Sequence, residues 1–142
     1  ESDSSGKAAI GHGYTYSGHP VGAAAALAAI VETRRLDVVT NAAARGTQLY
    51  DGMVSLAGQY PVVGDVRGGH GLMTAMELVA DQETKAPIDG KLAIKMQKAA
   101  YQAGALIRVS GPNVILSPSL VIEEADIDIA LNAVEEGLKA IS

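Results

Sequence analysis

Ala105-Leu106-Ile107-Arg108-Val109-Ser110-Gly111-Pro112-Asn113-Val114-Ile115-Leu116-Ser117 is the stretch that decides the fold. Two short runs rich in aliphatic and β-branched residues flank Gly111-Pro112-Asn113, which supplies the turn chemistry of a hairpin. The stretch reads as strands over 105–110 and 114–117, paired antiparallel. Alternation along the first strand sets Arg108 opposite Ile107 and Val109, so the two aliphatics enter a core while the arginine faces a cleft.

Working outward, Leu92, Met96, Ala99 and Ala103 recur at the period of one helical stripe, and Gly104 sits where a left-handed terminating residue is wanted. Upstream of that helix, 62–67 and 72–79 have strand composition around the turn Gly68-Gly69-His70-Gly71. The polar stretch 81–90, with Pro87, reads as a surface loop between strand and helix. Downstream of the hairpin, Ile127, Leu131, Val134, Leu138 and Ile141 mark a terminal helix. Glu123, Glu124 and Asp126 lie at its start, where the helix dipole stabilises acids.

Two further helices precede the strands. Pro20 suits a first helical turn, and the alanine-rich run that follows predicts a helix to about Arg35, buried along much of its surface. Val38, Val39, Ala42, Leu49, Met53 and Leu56 predict a second over 36–57, ending near Gly58, before Tyr60-Pro61 breaks helical character. The order of elements indicates an α/β fold of α+β character, with helices on one face of a small, mainly antiparallel sheet.

Composition narrows the function. The 142 residues are 48% hydrophobic, enough for one ordinary domain with its own core. A net charge of −5 without a basic cluster argues against nucleic acid or an anionic membrane surface, and leaves a small molecule or a protein as partner. The absence of cysteine excludes disulfides, thiolate zinc sites and cysteine nucleophiles. No membrane-spanning run or signal-type segment is visible, so a cytoplasmic location is expected. The polar lead-in from Glu1 to Gly6, without an initiating Met, reads either as the start of a piece of a longer chain or as a processed terminus.

His12-Gly13-Tyr14-Thr15-Tyr16-Ser17-Gly18-His19-Pro20 carries the chemistry. A threonine hydroxyl beside glycines and a helix N-terminus is a plausible anion contact, because unpaired amides and the helix dipole favour negative charge. Thr15 equally suits a turn in which it satisfies a backbone group, and Tyr14 and Tyr16 equally suit packing with a wet hydroxyl. Arg108 offers a planar two-pronged donor to a carboxylate, or a solvated strand cation paired with a surface acid. Arg67 is assigned to structure. His12, His19 and His70 lack the spacing and carboxylate company of metal ligands. No nucleophile elbow is present, and Gly69-His70-Gly71 is not followed by the helix that a dinucleotide fingerprint requires.

The loop resembles the HGxTYSGHP segment of class III, fold-type-I aminotransferases that use pyridoxal 5'-phosphate. The resemblance extends through Val66-Arg67-Gly68-Gly69-His70-Gly71-Leu72-Met73, Gly104-Ala105-Leu106-Ile107-Arg108-Val109 and Gly111-Pro112-Asn113-Val114-Ile115-Leu116-Ser117-Pro118, in order. It implies the C-terminal part of such an enzyme, similar to the β-alanine or ω-amino acid:pyruvate branch. Residues 1–19 would then be the lead-in and cofactor-phosphate loop, 20–60 connecting helices, and 61–142 the small domain. It also implies that Thr15, flanked by Tyr14, contacts the cofactor phosphate of the neighbouring subunit in a homodimer. Arg108 would receive the carboxylate of an amino or keto acid.

The lysine that carries the cofactor lies upstream of this loop in the family, so none of the lysines here takes that role, no catalytic residue is assigned, and the chain alone is expected to be inactive. A missing segment or a companion N-terminal chain would supply it. Ser119 and Glu123 depart from the family's usual second proline and capping threonine. A non-catalytic interaction domain, and a related class III enzyme such as an aminomutase or decarboxylase, are the alternative readings.

Overall fold

The computed structural model describes residues 12–142, and the lead-in read over 1–11 lies outside them. The chain divides into two compact units, the first ending at Leu36 and the second spanning Asp37–Ser142. The division falls inside the segment expected to be connecting helices over 20–60.

In the first unit, α1 (Pro20–Arg35) begins on Pro20 and ends with Arg34 and Arg35 in its last turn, where cations suit the helix dipole. It buries none of its residues, so the expectation of a largely buried helix fails for this chain. Alanine permits close approach of a partner but does not by itself signal one.

The second unit opens with Asp37 in the left-handed region at φ 46°, which separates the helices and starts α2 (Val38–Gln59) two residues later than the sequence predicts. α2 buries Val38, Gly46, Leu49, Met53 and Leu56. Val39, placed on that face by periodicity, is instead exposed. The strands β1 (Val63–Arg67), β2 (Thr74–Leu78), β3 (Arg108–Ser110) and β4 (Asn113–Leu116) form one sheet of order β1-β2-β4-β3, antiparallel throughout. The expected antiparallel hairpin is therefore present as β3 and β4.

α3 (Gly90–Gln102) and α4 (Glu124–Lys139) complete the unit; α2 and α3 pack on the sheet, and α4 packs on both helices. Asp89 caps α3 by accepting from the Lys91 amide at 2.9 Å. The buried stripe of α3 is Ala93, Met96 and Ala100, one residue off the predicted Leu92, Ala99 and Ala103. Alanines surround Met96 on several sides, so periodicity alone could not choose the face. α4 buries Ile127, Val134 and Leu138 as expected.

One core joins these elements: Leu49, Met53, Met76, Leu78, Met96, Val114, Ile127, Val134 and Leu138 are all fully buried. Burying each such side chain contributes about 1.5–3 kcal/mol against the ordering entropy of the chain. The strands set their apolar alternation toward this core, Thr74, Met76 and Leu78 on β2 and Val114 and Leu116 on β4. The opposite face of the sheet carries polar and charged side chains, and it is there that Arg108 stands.

Candidate functional site

The loop before α1 is a tight turn. The Ser17 amide donates to the Tyr14 carbonyl at 2.9 Å, the Tyr14 amide donates to Ser17 Oγ at 2.9 Å, and the His19 amide donates to the Tyr16 carbonyl at 3.1 Å. Thr15 lies inside that turn, exposed, and its hydroxyl makes no hydrogen bond among the described residues. Ser17, not Thr15, satisfies the turn backbone. Tyr14 and Tyr16 are 71% and 78% exposed, so neither is a core residue of the first unit, and the Tyr14 hydroxyl lies 3.2 Å from His12 Nε2. The N-terminus of α1 has no side-chain cap and no acid in its first turn. An uncapped helix N-terminus, its dipole without an acid in the first turn, and a hydroxyl without a partner among the described residues together favour an anion such as a phosphate group.

The second unit builds a different device. Cross-strand register aligns Arg67 with Ala75, Ala75 with Ile115, and Ile115 with Arg108, so the two arginines end one row across all four strands. The adjacent row on the same face is Asp65, Glu77, Asn113 and Ser110. Arg67 is held by that second row: its Nη1 lies 2.7 Å from a Glu77 carboxylate oxygen and 2.9 Å from one of Asp65, and its Nη2 donates to Asn113 Oδ1. The hydrogen bond to Glu77, together with that to Asp65 and the charge of both acids, raises the Arg67 pKa further above its ordinary value.

Arg108 has no such company. It is exposed, as alternation predicts, beside buried Ile107 and half-buried Val109, and among the described residues its guanidinium makes neither hydrogen bond nor ion pair. It borders a cavity of about 420 Å³ whose wall includes Leu106, Ile107, Pro118, Ile127 and Ile129, with Ser117 and Asp126 as polar members. A permanent cation at the rim of a partly apolar cavity suits a carboxylate.

The backbone leading to Arg108 is more constrained than the strand pattern implies. β3 begins at Arg108, not at Ala105, because the preceding residues close α3. Gly104, at φ 107°, lets its own amide donate to the Tyr101 carbonyl and the Ala105 amide to the Ala100 carbonyl, both at 3.1 Å. Gln97 of α3 then donates from Nε2 to the Ile107 carbonyl at 2.8 Å. Sequence reasoning passed over Gln97; its signal was a polar residue next to the buried Met96.

Thr15 and Tyr14 thus stand in the first unit and Arg108 in the second. His70 is exposed in the turn between β1 and β2, and among the described residues no group of three or more His, Cys, Asp or Glu is placed to hold a metal ion. Among the same residues no helix is long and apolar enough to cross a membrane.

Comparison with known proteins gives a consistent neighbourhood. Residues 4–138 match the family described as aminotransferase class-III. A taurine–pyruvate aminotransferase of Bilophila wadsworthia is 36% identical over 134 residues, which are 89% of this chain and 29% of that protein. A leucine/methionine racemase of Thermococcus litoralis is 34% identical over 130 residues, 91% of this chain and 29% of that protein. Among solved structures, an amine transaminase from an uncultivated Pseudomonas species in its PLP-bound form superposes with a TM-score of 0.84 at 39% identity, covering 94% of this chain and 30% of that one. The chain therefore spans under a third of the length of these relatives.

Proposed function

The chain belongs to the class III aminotransferases, and from that premise we propose that its residues serve a pyridoxal-phosphate enzyme that moves an amino group from an amine or amino acid to a keto acid such as pyruvate. When bound, the cofactor supplies the electron sink that makes the substrate's Cα–H bond labile. These residues contribute binding and orientation. The turn at Thr15 fits the phosphate end of the cofactor: a hydroxyl unengaged among the described residues, a helix N-terminus without a side-chain cap, and no acid in the first turn. Tyr14 flanks the same position. In a homodimer, Thr15 of one subunit would reach the cofactor of its neighbour. The lysine that binds the cofactor belongs to the remaining part of the enzyme, and without that part these residues do not catalyse.

Arg108 carries the substrate side of the reading. The observation behind it is the contrast on one sheet face, where both Nη atoms of Arg67 are engaged with its neighbours and Arg108 has no partner among the described residues. A guanidinium free of internal partners receives a substrate carboxylate in bidentate fashion and orients the keto or amino acid for proton transfer. The test is the Michaelis constant of Arg108→Ala, measured in the full-length enzyme for pyruvate and for an alkylamine donor that lacks a carboxylate. A rise for pyruvate alone supports the assignment, and equal changes for both overturn it.

The similarity to a racemase favours a second reading, in which the same phosphate turn and arginine serve a different class III reaction on amino acids. Product analysis with and without pyruvate separates the two: amino transfer requires the keto acid and consumes it, whereas racemisation proceeds without net transfer.

A further inference from the structure

We propose that Gln97 is a positioning residue for Arg108, an inference that rests on Arg108 receiving the substrate carboxylate. The side-chain amide of Gln97 donates to the Ile107 carbonyl at 2.8 Å, and the bond is partly buried. That carbonyl belongs to the peptide that joins Ile107 to Arg108, so the amide restrains the plane from which the Arg108 Cα–Cβ bond departs.

Three features make this restraint matter. First, β3 is an edge strand of three residues, so Arg108 is anchored by ladder pairing on one side only. Second, Arg108 is the first residue of that ladder; on its N-terminal side the chain comes directly from the Gly104 turn, without strand partners over 105–107. Third, its guanidinium has no partner among the described residues, so no side-chain contact compensates for a tilted backbone. The Ile107 side chain, 3% exposed, anchors the inner face of the same peptide, while Gln97 anchors its carbonyl. Together they convert a strand end into a fixed mount. A long side chain amplifies a small rotation of its root, and a misplacement of about 1 Å in an orienting contact can cost up to roughly a hundredfold in rate.

The consequence is a selective kinetic effect. Gln97→Met keeps the length and removes the donor, whereas Gln97→Lys keeps a donor of similar reach. In the full-length enzyme, Gln97→Met is expected to raise the Michaelis constant for pyruvate about five- to tenfold, with that for a carboxylate-free alkylamine within about twofold of the parent, as loss of one partly buried hydrogen bond implies. Gln97→Lys is expected to stay near the parent for both. A thermal melt of each variant accompanies the kinetics, because a purely structural role lowers the melting temperature and shifts both substrates alike.

Gln97→Met with both constants unchanged, or both raised together, overturns the positioning role. Arg108→Ala run in parallel separates the two claims. If Arg108→Ala is selective for pyruvate while Gln97→Met is not, only the positioning role falls; if Arg108→Ala is itself unselective, the carboxylate reading and this inference fall together.

Discussion

Arg67 and Arg108 stand at opposite ends of one cross-strand row, separated along it by three interstrand steps or roughly 14 Å. Their states differ: Arg67 is tied to Asp65, Glu77 and Asn113, while Arg108 is bound to nothing among the described residues. Register places them on the same face, and the neighbouring row supplies acids to only one of them. Asp65 and Glu77 flank the β1 end, whereas Ser110 occupies the β3 end. An arginine that pairs with no acid among the described residues, on a sheet face that carries acids elsewhere, is open to an outside anion.

The two arginines should therefore fail differently. Arg67→Ala removes a half-exposed network and is expected to lower stability by at most about 1 kcal/mol, since solvent screens such pairs. Arg108→Ala is expected to change stability by less than about 0.5 kcal/mol, because it removes no hydrogen bond or ion pair among the described residues. Urea unfolding of both variants checks this. A loss of several kcal/mol in Arg108→Ala would reassign it to structure.

Thr15→Ala leaves the turn intact, because Ser17 and the backbone satisfy it. In the full-length enzyme the variant is expected to bind pyridoxal phosphate about tenfold or more weakly, the loss of one hydrogen bond to a charged group. Absorbance titration of the apo-enzyme reads this directly. Ser17→Ala is the control: it should disturb the turn, and an equal loss of cofactor there with none in Thr15→Ala would move the phosphate contact away from Thr15.

Local chemistry explains what was legible in the sequence. Pro20 and the arginine pair bracket α1 at both ends, and Gly111-Pro112 reverses the chain between β3 and β4. The exposure of Arg108 followed from alternation with Ile107. What the sequence hid is set by contacts between distant segments. The alanines of α3 offer nearly equal faces, so only packing against α4 and the sheet selects Ala93, Met96 and Ala100. The isolation of Arg108 depends on which acids lie across the sheet, and the role of Gln97 on a turn that brings α3 back to its own following strand. The exposure of α1 was illegible for a different reason: small apolar residues permit burial without requiring it.

Thr74 is fully buried and its hydroxyl has no hydrogen-bond partner among the described residues. A buried hydroxyl without a partner carries a desolvation penalty that an isosteric methyl does not. Thr74→Val is expected to stabilise the protein by about 1 kcal/mol, or at worst to be neutral, with the gain read from a denaturation midpoint at unchanged slope. Destabilisation beyond 1 kcal/mol or so would mean that the hydroxyl has a partner, a bound water being the simplest.

Gly46 lies in the middle of α2, where alanine would ordinarily improve helix propensity by about 1 kcal/mol. Here a Cβ would fall under 3.0 Å from the backbone oxygen, carbonyl carbon and Cα of Gly71, in the turn that joins β1 to β2. Backbone cannot rotate aside as a flexible side chain can, so either α2 or the turn must shift. Gly46→Ala is expected to destabilise by about 2–3 kcal/mol, as overpacking does. Gly58→Ala, in the last turn of the same helix with nothing within 4 Å of its Cβ, is expected to stabilise by a few tenths to about 1 kcal/mol. Chemical unfolding of the pair decides between propensity and contact: the opposite signs require the α2 backbone to lie against the turn, and a shared sign would remove that contact from the account of how α2 is seated on the sheet.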